Sequence, residues 1–87
     1  SHRLPSIDQE LLLRAKEALE AGSGARAARL LEAVEDQTGP YWLLLRGEAW
    51  LAQKKYKSAA RCFHGAETFW PGETAEKLEI CYREPGL

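Results

Sequence analysis

Residues 41–51 read YWLLLRGEAWL. Tyr41, Trp42, Leu43, Leu44 and Leu45 follow one another without a break, and Trp50 and Leu51 return to apolar character after a short interval. Wound into a helix, this stretch points apolar side chains in nearly every direction. A small soluble domain has little use for such a helix unless something packs on each of its faces. The fold therefore turns on what the rest of the chain places around it.

Thr38-Gly39-Pro40 breaks the chain just before this stretch, and Pro40 suits a first helical turn, where its missing N–H would have had no partner. The helix runs to about Gln53, and Lys54-Lys55 form a turn. From about Lys57 a fourth helix sets Ala59, Phe63 and Ala66 on one stripe and ends at Pro71-Gly72. A fifth, from Thr74 to Tyr82 or Arg83, turns Ala75, Leu78, Cys81 and Tyr82 inward before Glu84-Pro85-Gly86. Toward the N terminus, Ser6 and Gln9 stand at capping-box spacing, and Leu11, Leu12, Ala15, Ala18 and Leu19 recur at three and four. Gly22-Ser23-Gly24 stops that helix, and Ser23 caps a second with Ala27, Leu30, Leu31 and Val34 on one face and Arg26, Arg29, Glu32 and Glu35 on the other. No segment alternates as a strand does. The prediction is an all-α arrangement of five short helices in antiparallel hairpins.

Lys and Arg number 12 against 13 Asp and Glu, a net charge of −1, which with 45% hydrophobic residues describes one soluble globular domain. Near-neutral charge argues against a dedicated polyanion binder, whose affinity comes from cations neutralising phosphates. Lys54, Lys55, Lys57 and Arg61 around Tyr56 could form a small nucleic-acid patch, but read more simply as solvated side chains around a turn with Tyr56 packed. A nucleic-acid partner is not expected. Cys62 and Cys81 have no second pair and no His at ligand spacing, which argues against zinc and points to reduced, packed thiols of an intracellular protein. No run is long and apolar enough to suggest a membrane span or a signal peptide.

The chain is self-similar at an offset of 32 residues. Ala15, Gly22, Ala27, Leu31, Val34 and Gly39 correspond to Gly47, Lys54, Ala59, Phe63, Ala66 and Pro71. Small residues at Ala15/Gly47 and Ala27/Ala59 let the two helices of a hairpin approach, and Leu31/Phe63 fill the adjacent hole.

On these residues the chain resembles the tetratricopeptide repeat family. Residues 40–73 carry Gly47, Trp50, Tyr56, Ala59, Phe63, Ala66 and Pro71 at the family's small, aromatic and proline positions, and residues 8–39 resemble a shorter, degenerate copy. Residues 74–83 stand where the family has a capping helix or the first helix of a third copy. Lys54 in place of a turn glycine, and the lack of aromatics in the first copy, depart from the pattern. The resemblance implies two antiparallel helical hairpins plus a C-terminal capping helix, a fragment of a right-handed α-solenoid, over a single domain spanning 1–87.

It also implies a non-enzymatic protein-interaction module. Leu43, Gly47 and Trp50 would face the hairpin core. Tyr41, Leu44, Glu48 and Leu51 would line a concave groove, together with Leu12, Lys16 and Leu19 of the first copy, and receive a partner's peptide or amphipathic helix. Members that grip acidic C-terminal tails use Lys and Asn in that groove. Here those positions read Leu12, Lys16, Leu44 and Glu48, so no carboxylate clamp is expected. Trp42 and Trp70 fall at positions the family leaves exposed and are either interface aromatics or covers for the ends of a small core. Two alternatives stand beside this reading. The fifth helix could fold over the groove and bury Leu44 and Leu51 as core, or the strip could join two copies as a homodimer in a structural role.

Catalysis finds no support. There is no Gly-rich phosphate loop, no nucleophile with a base and no metal set, and neither a cofactor nor a metal is expected. His64 has no Ser, Cys or acid at catalytic spacing, and the carboxylates Glu10, Glu17, Glu20, Glu32, Glu35 and Asp36 fall among Arg14, Lys16, Arg26 and Arg29 as a solvated surface.

Overall fold

The computed structural model describes residues 5–83. They form α1 (Pro5–Glu20), α2 (Gly24–Glu32), α3 (Pro40–Ala52), α4 (Tyr56–Ala66) and α5 (Pro71–Arg83), with no strand among the described residues. α1 pairs with α2, and α3 with α4, as two helical hairpins, and α5 packs on α4 and α3. None of these helices is long and apolar enough to cross a membrane.

Each of α1, α3 and α5 opens on a proline, whose fixed φ suits a first turn where no N–H partner is needed. Two expectations change as a result. Ser6 lies inside α1 rather than capping it, and Pro71 starts α5 instead of closing α4, which ends at Ala66. The Trp70 carbonyl accepts the Thr74 N–H at 2.9 Å and so begins the α5 ladder. Ser23 does occupy the N-cap of α2, although its side chain makes no capping bond.

The two hairpin turns are built alike. The Gly22 N–H donates to the Leu19 carbonyl at 3.0 Å and the Ser23 N–H to that of Ala18 at 2.8 Å; 32 residues on, the Lys54 N–H donates to Leu51 at 2.9 Å and the Lys55 N–H to Trp50 at 3.0 Å. Both are Schellman closures, which need a left-handed residue just past the helix end. Gly22 (φ 84°) and Lys54 (φ 62°) supply it. For lysine that conformation brings Cβ too close to the backbone. Lys54→Gly is therefore expected to stabilise the chain by about 0.5–1 kcal/mol, part of the relief being offset by glycine's freedom when unfolded. Urea denaturation checks it, and an unchanged or lowered midpoint would show that the turn carries no strain.

α3 sits between two core clusters. Leu45 and Ala49 join Ala15, Ala18, Ala27 and Leu31, while Leu44 joins Ala59, Ala60, Phe63, Ala66, Leu78 and Cys81. Tyr41 packs against both. The apolar run of residues 41–45 thus faces the chain's own helices on several sides. At the closest approach of α3 and α4, a Cβ on Gly47 would lie 2.6 Å from the Phe63 ring, so only glycine leaves room.

α5 takes a different register from the expected one. Thr74, Leu78 and Cys81 are its buried residues, and Ala75 and Tyr82 are exposed. Thr74 can be buried because its hydroxyl donates to the Trp70 carbonyl at 2.6 Å, a local bond that satisfies it without solvent. Both cysteines are free thiols, and burial pushes both thiols above their ordinary pKa, which holds back thiolate formation.

Candidate functional site

Leu12, Lys16 and Leu19 come from α1 at helical spacing, and Tyr41, Glu48 and Leu51 from α3. Leu12 and Leu19 are half-buried against the first core cluster, and Leu51 is half-buried against the second. Lys16 is exposed and lies 3.9 Å from Glu20. Leu44 departs from the expected groove: it is 2% exposed, because Leu78 and Cys81 of α5 join it in the second cluster. It is a core residue, and the fifth helix does cover that part of the strip. Leu51 keeps partial exposure.

Glu48 registers charges from two neighbouring helices, α1 and α5. Burial raises its carboxyl pKa above the ordinary value, opposed by Lys77 of α5 and Lys16 of α1 and assisted by Glu73. A carboxyl that binds its proton more tightly folded than unfolded weakens the fold where it is ionised, and that burden disappears as pH falls. Glu48→Gln is accordingly expected to raise the melting temperature at neutral pH. The gain should shrink as pH falls toward the ordinary value of 4.5 and be gone below it. Paired thermal melts across that range test the sign, and a gain that persisted in acid would assign it to packing instead.

The two tryptophans are anchored by different means. The Trp42 indole N–H donates to the Leu31 carbonyl at 2.9 Å, which ties the start of α3 to the end of α2. Trp70 is half-buried with its ring 5.8 Å from Tyr41, tilted by 43°, and its indole N–H is enclosed without a partner. One face of Trp50 carries the Arg46 guanidinium, 4.1 Å from the ring centre.

At the head of α1 and α3 the chain leaves an open cleft of about 400 Å³. Leu12, Val34, Pro40, Tyr41 and Trp42 provide its apolar wall, and Asp8, Glu35 and Asp36 lie along its edge. The Asp8 carboxylate accepts the backbone N–H of Glu35 at 3.1 Å and of Asp36 at 3.3 Å, so α1 holds the connection between α2 and α3 in place. Thr38 bonds to the Asp36 carboxylate through its hydroxyl at 2.7 Å and its N–H at 3.0 Å, and these bonds lower the Asp36 pKa. Of the predicted contact residues, the cleft collects Leu12, Tyr41 and Trp42; Lys16, Leu19, Glu48, Leu51 and Trp70 lie outside it. Asp8 and Val34 were not among the expected site residues. Asp8 stands in the first turn of α1, and nothing in its sequence neighbours signals a bond to a backbone 27 residues away.

Comparisons of this chain with protein-family models, with curated proteins and with solved structures find no match.

Proposed function

We propose that this chain is a tetratricopeptide-like module that binds a segment of another protein and carries out no chemistry of its own. The observation that carries this reading is the cleft between α1 and α3, where Leu12, Tyr41 and Trp42 converge on a solvent-open apolar wall. A cleft of that size accepts one or two apolar side chains from a peptide or an amphipathic helix. Matching turns and small-residue pairs at a 32-residue offset support the repeat reading. The exposed Asp36 carboxylate on the edge of the cleft favours a partner segment in which the apolar anchor stands beside a Lys or Arg. Glu48, where a carboxylate clamp would place a cation, disfavours acidic C-terminal tails.

Selection of displayed random peptides on the chain, with counter-selection on Leu12→Arg, tests this. Enriched sequences should combine an apolar anchor with a basic residue, and their binding should be lost on Tyr41→Ala while the helical spectrum is unchanged. Peptides that bind wild type and both variants equally would reject the cleft, and acidic tails that depend on a free C-terminal carboxylate would reject the specificity.

A second reading, of a structural domain that joins copies of itself, is favoured by Ile7 and Leu13 of α1, which are 44% and 58% exposed. Sedimentation equilibrium separates the two. A concentration-dependent dimer abolished by Leu13→Glu would move the function to self-association, and a monomer at all concentrations would remove that reading.

A further inference from the structure

The total charge of −1 conceals a segregation. Between Glu48 and Glu67 there is no acidic residue, and residues 49–66 hold Lys54, Lys55, Lys57 and Arg61. That stretch carries +4 and leaves −5 on the rest of the chain. On α4, Lys57, Arg61 and His64 recur at helical spacing, and together with Ala60 and with Tyr82 of α5 they line a cleft of about 380 Å³. None of these five residues belongs to the cleft between α1 and α3.

The polar groups of this second cleft differ in how they are held. His64 Nε2 lies 2.7 Å from the Tyr82 hydroxyl, and Nδ1 lies 3.4 Å from Glu67, so the ring and the phenol fix each other at one wall. The Lys57 and Arg61 side chains have no hydrogen-bond or ion-pair partner among the described residues, unlike Arg14, Lys16 and Arg83, which each pair with a glutamate one turn away. Two uncommitted cations beside two positioned polar groups, over a floor of Ala60 and the Tyr82 ring, describe a receptor for a compact anion on an organic stem.

We propose that this cleft binds the phosphomonoester of a phosphorylated side chain in a partner protein. A phosphomonoester carries close to two negative charges and three terminal oxygens, which suits two cations and the Tyr82 hydroxyl, free to donate outward when His64 Nε2–H donates to it, better than a single carboxylate does. The −5 on the remainder of the chain disfavours a nucleic acid, whose next phosphates would run onto repelling surface. Glu67 beside His64, and Glu79 one turn before Arg83 on α5, disfavour an extended anionic membrane in the same way.

The test is titration of the ¹⁵N-labelled chain, followed by amide shifts, with acetyl-Ala-phosphotyrosine-Ala-amide and acetyl-Ala-phosphoserine-Ala-amide. Their unphosphorylated forms serve as controls at matched ionic strength. At least one phosphopeptide should give saturable shifts centred on residues 57–64 and Tyr82, with none from the controls. Lys57→Glu and Arg61→Glu should each weaken binding roughly ten-fold or more, and Tyr82→Phe by less. Arg61→Gln replaces Arg61→Glu if the latter alters the fold. Equal affinity for inorganic phosphate, tighter binding of a thymidine oligonucleotide or of phosphatidylserine vesicles, absence of saturation, or indifference to the Arg61 variants would each overturn the proposal. The Leu12→Arg variant should bind the phosphopeptide normally, so failure here and failure at the other cleft are separate results.

Discussion

Phe63→Ala is expected to lower the unfolding free energy by about 3–5 kcal/mol, a large part of the 5–15 kcal/mol that domains ordinarily possess. Phe63 is 0% exposed and is the bulkiest fully buried side chain of the described residues, and the turn of α3 it packs against has only a hydrogen at Gly47. The same contact sets the fate of Gly47→Ala. In an open helix that change would gain about 1 kcal/mol from propensity. Here the added Cβ would stand 2.6 to 2.9 Å from three ring atoms of a residue with nowhere to move, so a net loss of about 1–3 kcal/mol is expected. In a Phe63→Leu background the clash is removed, and Gly47→Ala should become neutral or stabilising. Urea denaturation of the four chains closes the cycle, and an equal cost in both backgrounds would show that the Phe63 ring is not what excludes a side chain at Gly47.

Leu44→Glu should leave the chain largely unfolded at neutral pH, whereas Leu51→Glu should leave it folded with a modest loss. The two leucines belong to one expected strip, but Leu44 is 2% exposed among α3, α4 and α5 side chains, and Leu51 reaches solvent. A carboxylate at Leu44 would have no cation within the apolar cluster, and an unpaired buried charge costs several kcal/mol. Circular dichroism and thermal melts distinguish the outcomes. A folded Leu44→Glu chain would mean that α5 can lift away and that the strip is an open groove after all.

The hairpins were legible because their signals are local. Prolines, the Gly22 turn and the small residues opposite Leu31 and Phe63 each act through neighbours within a turn or through one helix contact. The register of α5 was not, since Thr74 and Ala75 are both small and only the bond from the Thr74 hydroxyl to the Trp70 carbonyl makes the polar one the better interior residue. Leu44 was ambiguous for a related reason: its helix spacing is the same whether α5 or a partner covers it. The cleft at the head of α1 depends on Asp8 and the connection at residues 33–39, elements joined only by folding, so the sequence pointed to Leu12 and Tyr41 without showing the walls around them. Lys57 and Arg61 were visible as charges, but their meeting with Tyr82 required the placement of α5.

α3 is the one helix that all four others touch; α2 does not approach α4, nor α1 approach α5. In network terms α3 is a cut vertex: remove it and the molecule falls into two unconnected hairpin remnants. Its amides should therefore exchange with solvent only when everything opens, while α1 and α5 can each detach without the other's consent. An occupant of the α1–α3 cleft would slow exchange in α1 and α2 and leave α5 at its own pace. The two ends of this short chain are thermodynamic strangers that share a single acquaintance.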